Sequence, residues 1–186
     1  MFIAIGVVGV FFVFFFLIYN SLISKKNMVK NNFAAIDVQL KKRYDLIPNL
    51  VATVKQYMEY EKNLLNELTE LRAKAISNET SDDEKITIDN QISKSMRHIF
   101  AVAENYPNLK ASQNMELLQR SLNEVEEQLA AARRSYNAAV TDFNNAVEMF
   151  PSNIIAAMMS YKTRALLETP KKEKENVDIN NLFNTK

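Results

Sequence analysis

The chain has 186 residues, a formal net charge of +1 and 47% hydrophobic residues, a composition typical of a folded rather than a disordered protein. It contains two glycines, a single histidine (His98) and no cysteine. These counts exclude glycine-rich phosphate loops, disulfides and thiolate metal sites, so we predict no enzyme activity, no cofactor and no metal site. Chemistry by carboxylates alone is an alternative that stays open.

The first 24 residues carry no charge, and residues 2–18 form an unbroken run of apolar residues and glycine. A helix of about 20 such residues spans the hydrocarbon core of a bilayer. A cleaved signal peptide is the alternative, but no basic residue precedes the run and no small-residue cleavage site follows it. We therefore predict that residues 1–24 form a retained transmembrane helix. Its predicted anchoring side chains are Phe2, Ile3, Phe11, Phe14, Ile18 and Tyr19.

Three basic residues, Lys25, Lys26 and Lys30, follow this segment closely, whereas none precedes it. The positive-inside rule then places the N-terminus outside the cell and the rest of the chain in the cytoplasm. These lysines are also suited to contact anionic lipid headgroups.

Residues 25–169 carry apolar side chains at heptad spacing, interrupted by short breaks, which predicts a bundle of long helices. The membrane helix is predicted to continue to about Tyr44, and a second helix is predicted over residues 48–75 with Pro48 in its first turn. A polar linker at residues 77–83 follows. Ser81 and Glu84 form a predicted capping box at the start of a helix over residues 82–105, which Pro107 ends.

The strongest heptad pattern covers residues 112–150, where eleven apolar or aromatic positions follow one another at alternating spacings of three and four. These positions are Met115, Leu118, Leu122, Val125, Leu129, Ala132, Tyr136, Ala139, Phe143, Ala146 and Phe150. Pro151 ends or kinks this helix, and a shorter helix is predicted over residues 152–167. Residues 170–186 form a predicted tail. The fold class is therefore all-α, an N-terminal transmembrane helix that continues into an antiparallel bundle of long helices.

Several segments are distinctive as a set: residues 36–43 (IDVQLKKR), 45–51 (DLIPNLV), 54–57 (VKQY), 103–111 (AENYPNLKA), 132–137 (ARRSYN) and 150–153 (FPSN). Together these segments resemble the LemA family of bacterial membrane-anchored proteins. The resemblance covers nearly the whole chain in the expected order. It implies one N-terminal membrane helix and a bundle of long helices, and it implies no particular reaction.

Glu61 falls on a heptad core position, where a carboxylate is either a perturbed functional group or part of a buried polar layer. We favour the layer, with Arg43, Arg72, Arg133 or Arg134 as the basic partner. Glu104, at a predicted helix end, is expected to bond to neighbouring basic groups and backbone. The candidate buried polar layer is therefore Glu61, Arg72, Glu104 and Arg133.

The isoelectric point of about 7.8 and the interleaved acidic residues argue against nucleic acid as a partner. The expected partners are the lipid bilayer and either further copies of this chain or other membrane-associated proteins. We interpret the chain as a membrane-anchored scaffold or adaptor. The alternative from another class is a sensing or signalling module that binds a ligand or responds to the bilayer, with flexion at residues 77–83 and at Pro151.

Overall fold

The structure is a computed structural model that describes residues 2–77 and 80–167. Within these ranges the chain is helical and contains no β-strand, which confirms the predicted all-α class. The helices are α1 (Phe2–Lys55), α2 (Lys62–Ala75), α3 (Asp82–Ala103), α4 (Pro107–Lys110), α5 (Gln113–Glu148) and α6 (Ser152–Met158). A single 3-10 turn, Glu59–Glu61, precedes α2.

The chain packs as two compact units, each of which takes part of α1 and part of α5. Among the described residues, the terminal unit comprises residues 2–34 and 130–167, and the central unit comprises residues 35–77 and 80–129. The division of the chain at residues 24 and 169 that the sequence suggested stays a prediction. The tail at residues 170–186 lies outside the described residues.

The central unit has an apolar interior to which every one of its helices contributes. Its most buried side chains are Ile36, Leu40, Ile47, Leu50, Met58, Leu68, Ile92, Ile99, Leu109, Met115 and Leu129. Together with the other buried apolar residues, they recur every three or four positions along the long helices, so the heptad spacing of the sequence corresponds to the buried face. The burial of this face is what holds the helices of the unit together.

Helix α1 runs through Pro48 without a break and ends at Lys55, so the prediction that a new helix begins at Pro48 is wrong. The break falls instead at residues 56–58, before the 3-10 turn and α2. Pro107, by contrast, behaves as expected. Helix α3 ends at Ala103, and Pro107 opens α4 at a first-turn position where its missing N–H costs nothing.

The predicted capping box at the start of α3 is confirmed. The Ser81 hydroxyl accepts a hydrogen bond from the backbone N–H of Glu84, and the Glu84 carboxylate accepts one from the backbone N–H of Ser81 at 3.0 Å. Two of the N–H groups that a helix N-terminus leaves unpaired are satisfied in this way. The capping box therefore fixes the start of α3 at residue 82, as the sequence predicted.

Helix α5 buries most of its predicted heptad stripe, with Ala132 and Ala146 half-buried. Phe150 is the exception because it lies beyond the end of the helix and is 78% exposed. The following helix is shorter than predicted, since α6 ends at Met158 rather than at residue 167. Residues 161–167 have no helical structure.

Candidate functional site

The N-terminal part of α1 exposes large apolar side chains on all sides. Phe2 is 85% exposed and Phe11 is 78% exposed, and Phe14 and Tyr19 are also exposed. Of the predicted anchoring residues, only Ile18 is half-buried within the protein, and nothing is described for the side chain of Ile3. In the described part of the chain, one helix, α1, is long and apolar enough to cross a membrane. The sequence-predicted anchor is thus a candidate membrane helix.

The apolar segment is followed by the predicted basic residues on the same helix. Lys26 and Lys30 are exposed, whereas Lys25 is half-buried. The ammonium group of Lys26 lies 5.2 Å from the centre of the Tyr161 ring, a cation–π distance. One of the basic residues is therefore held against the segment that comes after α6.

Helix α6 packs on α1 at the C-terminal end of its apolar segment. Leu22 of α1 and Ile155 and Ala156 of α6 form a buried cluster. Further half-buried side chains cover it: Phe15, Ile18, Ala146, Val147, Met159 and Tyr161. This contact fixes α6 alongside residues 15–22 of α1.

Helix α6 ends in a left-handed residue that redirects the chain. Ser160 has a φ of 55°, and the N–H groups of Ser160 and Tyr161 donate to the carbonyls of Ala157 and Ala156 at 3.0 and 2.9 Å. This pair of bonds is the Schellman pattern, in which glycine usually occupies the left-handed position. The segment after it leaves the helix axis and runs back along α5.

Two asparagines of α5 hold this returning segment by its backbone. The side-chain amide of Asn144 donates to the carbonyl of Arg164 and accepts from its N–H, both at 2.9 Å. Asn137 makes the same two bonds with Leu167, also at 2.9 Å. Seven helical residues and three extended residues each cover about 10 Å, so the two spacings match. We call this arrangement the asparagine ladder.

The central unit contains a buried ion pair. Nη1 of Arg43 lies 2.8 Å from Oδ1 of Asp89, and the side chains are 3% and 0% exposed. The second nitrogen, Nη2, lies 2.5 Å from Oε1 of Glu126, which is half in solvent. One guanidinium thus connects α1, α3 and α5 within this unit. The pair places two side chains of opposite charge in contact within the unit and joins three helices.

The four residues of the predicted polar layer do not form a buried layer. Glu61 and Arg72 are half-buried, and Nε of Arg72 donates to the backbone carbonyl of Tyr44 at 2.8 Å. Glu104 is exposed and pairs with Lys110, as expected for a residue at a helix end. Arg133 is half-buried. The charged side chains that are buried in residues 2–77 and 80–167 are Arg43 and Asp89.

Sequence reasoning missed Asp89 and the two ladder asparagines. Asp89 lies three residues before Ile92 and seven before Met96, in phase with the buried face of α3. This spacing is the signal in the sequence from which the burial of Asp89 could have been predicted. Asn137 and Asn144 are one heptad apart, but only their bonds to residues 164 and 167 give this spacing a meaning.

Over the described stretches of the chain, no three histidine, aspartate or glutamate side chains lie close enough to hold a metal ion. The pKa of Glu84 is lowered by the hydrogen bonds that its carboxylate accepts from the backbone N–H of Ser81 and from the Ser81 hydroxyl. Both bonds favour the ionised carboxylate. This group caps a helix and faces solvent.

Comparison with known proteins gives one family. The LemA family profile matches residues 32–180. The chain is 24% identical to Protein LemA of Metamycoplasma hominis over 177 residues, which cover 95% of this chain and 81% of that protein. It is 28% identical to the magnetosome proteins MamQ 1 and MamQ 2 of Paramagnetospirillum magneticum over 74 residues. That match covers 40% of this chain and 27% of either MamQ protein.

Proposed function

This chain belongs to the LemA family, and from this premise we propose that it is a non-enzymatic scaffold or adaptor anchored in the cell membrane by α1. Its partners are the lipid bilayer and either further copies of itself or other membrane-associated proteins. The N-terminus lies outside the cell and the helices after residue 24 lie in the cytoplasm.

The observation that carries the proposal is the exposure of the first part of α1. A segment in which Phe2 and Phe11 are largely exposed favours a membrane or protein partner, because water-soluble monomers rarely expose large contiguous apolar surfaces. Its length suits a single bilayer crossing. The basic residues after it, Lys25, Lys26 and Lys30, support placing the remainder of the chain in the cytoplasm.

The central unit supports a structural rather than a catalytic role. Its buried carboxylate, Asp89, is 0% exposed and lies 2.8 Å from the Arg43 guanidinium, so a substrate in solution cannot reach it. The buried faces of its helices are otherwise apolar apart from Ser95. The charged side chains on the outer faces of this compact unit are then the surface that partners contact.

The anchoring and its orientation are testable with single cysteines, since the natural chain has none. The variants are Phe2→Cys, Phe11→Cys, Asn27→Cys and Asn90→Cys. With a membrane-impermeant maleimide on intact cells, we expect labelling at position 2 alone. Positions 27 and 90 should react only after permeabilisation, and position 11 in neither case. The reverse pattern would refute the orientation, and release of the protein by alkaline carbonate would refute the anchoring.

Self-association is tested on the full chain in mild detergent by light scattering and in vesicles by lysine cross-linking. We expect a protein mass above that of one copy, which falls towards one copy on dilution. One copy at every concentration in detergent and in vesicles would leave other membrane-associated proteins as the partners.

A further inference from the structure

A second apolar surface of the terminal unit lies at the turn between α5 and α6. Four large side chains, Met149, Phe150, Ile154 and Met158, are more than half exposed there, with Phe150 at 78% and Met158 at 71%. Ile154 and Met158 are four residues apart on α6 and therefore share one face of this helix. We call these four residues the corner patch.

The other face of α6 packs against α1, and this contact determines where along α1 the corner patch lies. Ile155 and Ala156 are buried against Leu22, with Phe15 and Ile18 packed around them. Residues 15–22 cover about 10 Å of helix axis and end just before the first lysine of the chain. The patch therefore lies beside the end of the apolar segment, a part of α1 in which Phe14, Phe16 and Leu17 are also exposed.

The order of apolar and basic residues around the corner patch is the same as that along α1. Residues 149–161 contain no charged side chain, and Lys162 and Arg164 follow at once, both exposed. Lys26 of α1 lies over the ring of Tyr161 at the same boundary. Apolar side chains followed by an aromatic ring and basic groups are the pattern of a protein surface at the interface between acyl chains and headgroups.

We propose that the corner patch is a second membrane contact, which inserts into the boundary between headgroups and acyl chains of the bilayer that α1 crosses. This inference rests on the proposed anchoring. The occupant of the patch is lipid because the face behind it is fixed to the end of the membrane helix. The terminal unit is thereby bound to the membrane at two places, α1 and the α5–α6 turn, and Lys162 and Arg164 are positioned to contact anionic headgroups.

The test uses the full chain in vesicles of phosphatidylcholine and phosphatidylglycerol, with an environment-sensitive NBD fluorophore on single cysteines. Phe150→Cys and Met158→Cys report on the patch, and both positions are exposed, so the interior contacts of α6 stay intact. Phe11→Cys reports on the membrane helix. Asp142→Cys is the matched control, an exposed position on α5 about two turns before Phe150. Nitroxide lipids with shallow or deep spin labels quench the fluorophore according to its depth.

We expect quenching at positions 150 and 158 to be about twofold or more above that at position 142, and stronger with the shallow than with the deep nitroxide, as suits an interfacial depth of about 5–10 Å. Position 11 should be quenched best by the deep nitroxide. Loss of quenching at positions 150 and 158 while position 11 is quenched would overturn the second contact and leave the anchor standing. Loss at position 11 would overturn the anchor itself. Disulfide cross-linking of two copies through position 150, without lipid quenching, would assign the patch to a protein interface and also overturn the proposal.

Discussion

The guanidinium of Arg72 replaces the hydrogen bond that Pro48 removes from α1. Proline has no N–H, so at position 48 it leaves the carbonyl of Tyr44 without its usual helical donor. Nε of Arg72, on α2, donates to this carbonyl at 2.8 Å. A side chain of the next helix along the chain thus compensates for the proline inside α1.

This relationship predicts an energetic coupling between positions 48 and 72. Arg72→Met removes the donor, and we expect it to destabilise the protein by about 1–3 kcal/mol because the Tyr44 carbonyl is left unsatisfied. In a Pro48→Ala background, residue 48 regains an N–H that can bond to Tyr44, so the same change should cost about 1 kcal/mol less. Denaturant unfolding of the full chain in detergent, followed by circular dichroism, measures both values.

The matched control is Arg97→Met, an exposed arginine on α3, which should change stability by no more than about 0.5 kcal/mol. Equal costs of Arg72→Met in the two backgrounds would show that Arg72 acts through its packing and not through the carbonyl of Tyr44.

The same pair of residues shows what the sequence could and could not reveal. The apolar periodicity before and after Pro48 predicted two helices, and the local rule that proline starts a helix placed the boundary between them. The donor from Arg72 overrides this rule, and it lies 24 positions away in the sequence. No local pattern reports such a contact, whereas the Ser81–Glu84 capping box is entirely local and was predicted correctly.

The buried pair Arg43–Asp89 is expected to be sensitive to the loss of either partner. Asp89→Asn keeps an oxygen acceptor but removes the buried negative charge, so the half-exposed Glu126 is the carboxylate left beside the buried guanidinium, which should cost about 3–5 kcal/mol. The double variant Arg43→Met with Asp89→Leu removes both charges and should be closer to the natural protein than either single variant. Unfolding free energies in detergent test the order of the three.

The control for this pair is Asp45→Asn, which breaks the exposed Lys41–Asp45 pair and should cost less than about 1 kcal/mol. A double variant that is as unstable as Asp89→Asn would contradict the view that the loss arises from an unpaired buried charge.

The prediction of a buried polar layer is wrong for a related reason. Heptad position marks a residue as facing inward, and Glu61 met this criterion, but the chain breaks at residues 56–58 and puts Glu61 in a 3-10 turn with a half-buried side chain. Asp89 also lies on an inward face and is fully buried because Arg43 is opposite it. Pairing between distant helices decides which charge is buried, and heptad counting along one helix does not contain that information.

The asparagine ladder predicts site-specific protection of two backbone amides. The N–H groups of Arg164 and Leu167 donate to the side-chain oxygens of Asn144 and Asn137. We therefore expect Asn144→Ala to accelerate hydrogen exchange mainly at Arg164, and Asn137→Ala mainly at Leu167. Each change removes two hydrogen bonds, worth about 1–2 kcal/mol in total where they are partly exposed. Exchange measured by NMR on the full chain in detergent resolves the two amides.

Asn145→Ala is the control, since residue 145 is the exposed neighbour of Asn144 and should leave both amides unchanged. If both amides exchange at their natural rates in Asn137→Ala and Asn144→Ala, then the two asparagines do not hold the segment, and contacts such as those of Tyr161 and Arg164 with Phe143 do. The ladder also explains why α6 stops short of residue 167. The backbone N–H and carbonyl groups of Arg164 and Leu167, which a longer helix would pair internally, are bonded to α5 instead.

The contribution of the α3 capping box to the stability of the protein is expected to depend on pH. The pKa of Glu84 is lowered by the backbone N–H of Ser81 first and by the Ser81 hydroxyl second. A carboxylate with a lowered pKa in the folded protein stabilises it above the pKa of the unfolded chain, and this contribution is lost as the pH falls through the folded-state pKa. The effect of Glu84→Gln on the melting temperature should therefore be present at neutral pH and disappear in acid.

Ser81→Ala removes one of the two hydrogen bonds that the Glu84 carboxylate accepts. An NMR titration of the Glu84 carboxyl should then show its pKa raised part of the way towards the ordinary value, whereas Thr80→Ala should leave the pKa of Glu84 unchanged. An unchanged pKa in Ser81→Ala would assign the whole shift to the backbone N–H.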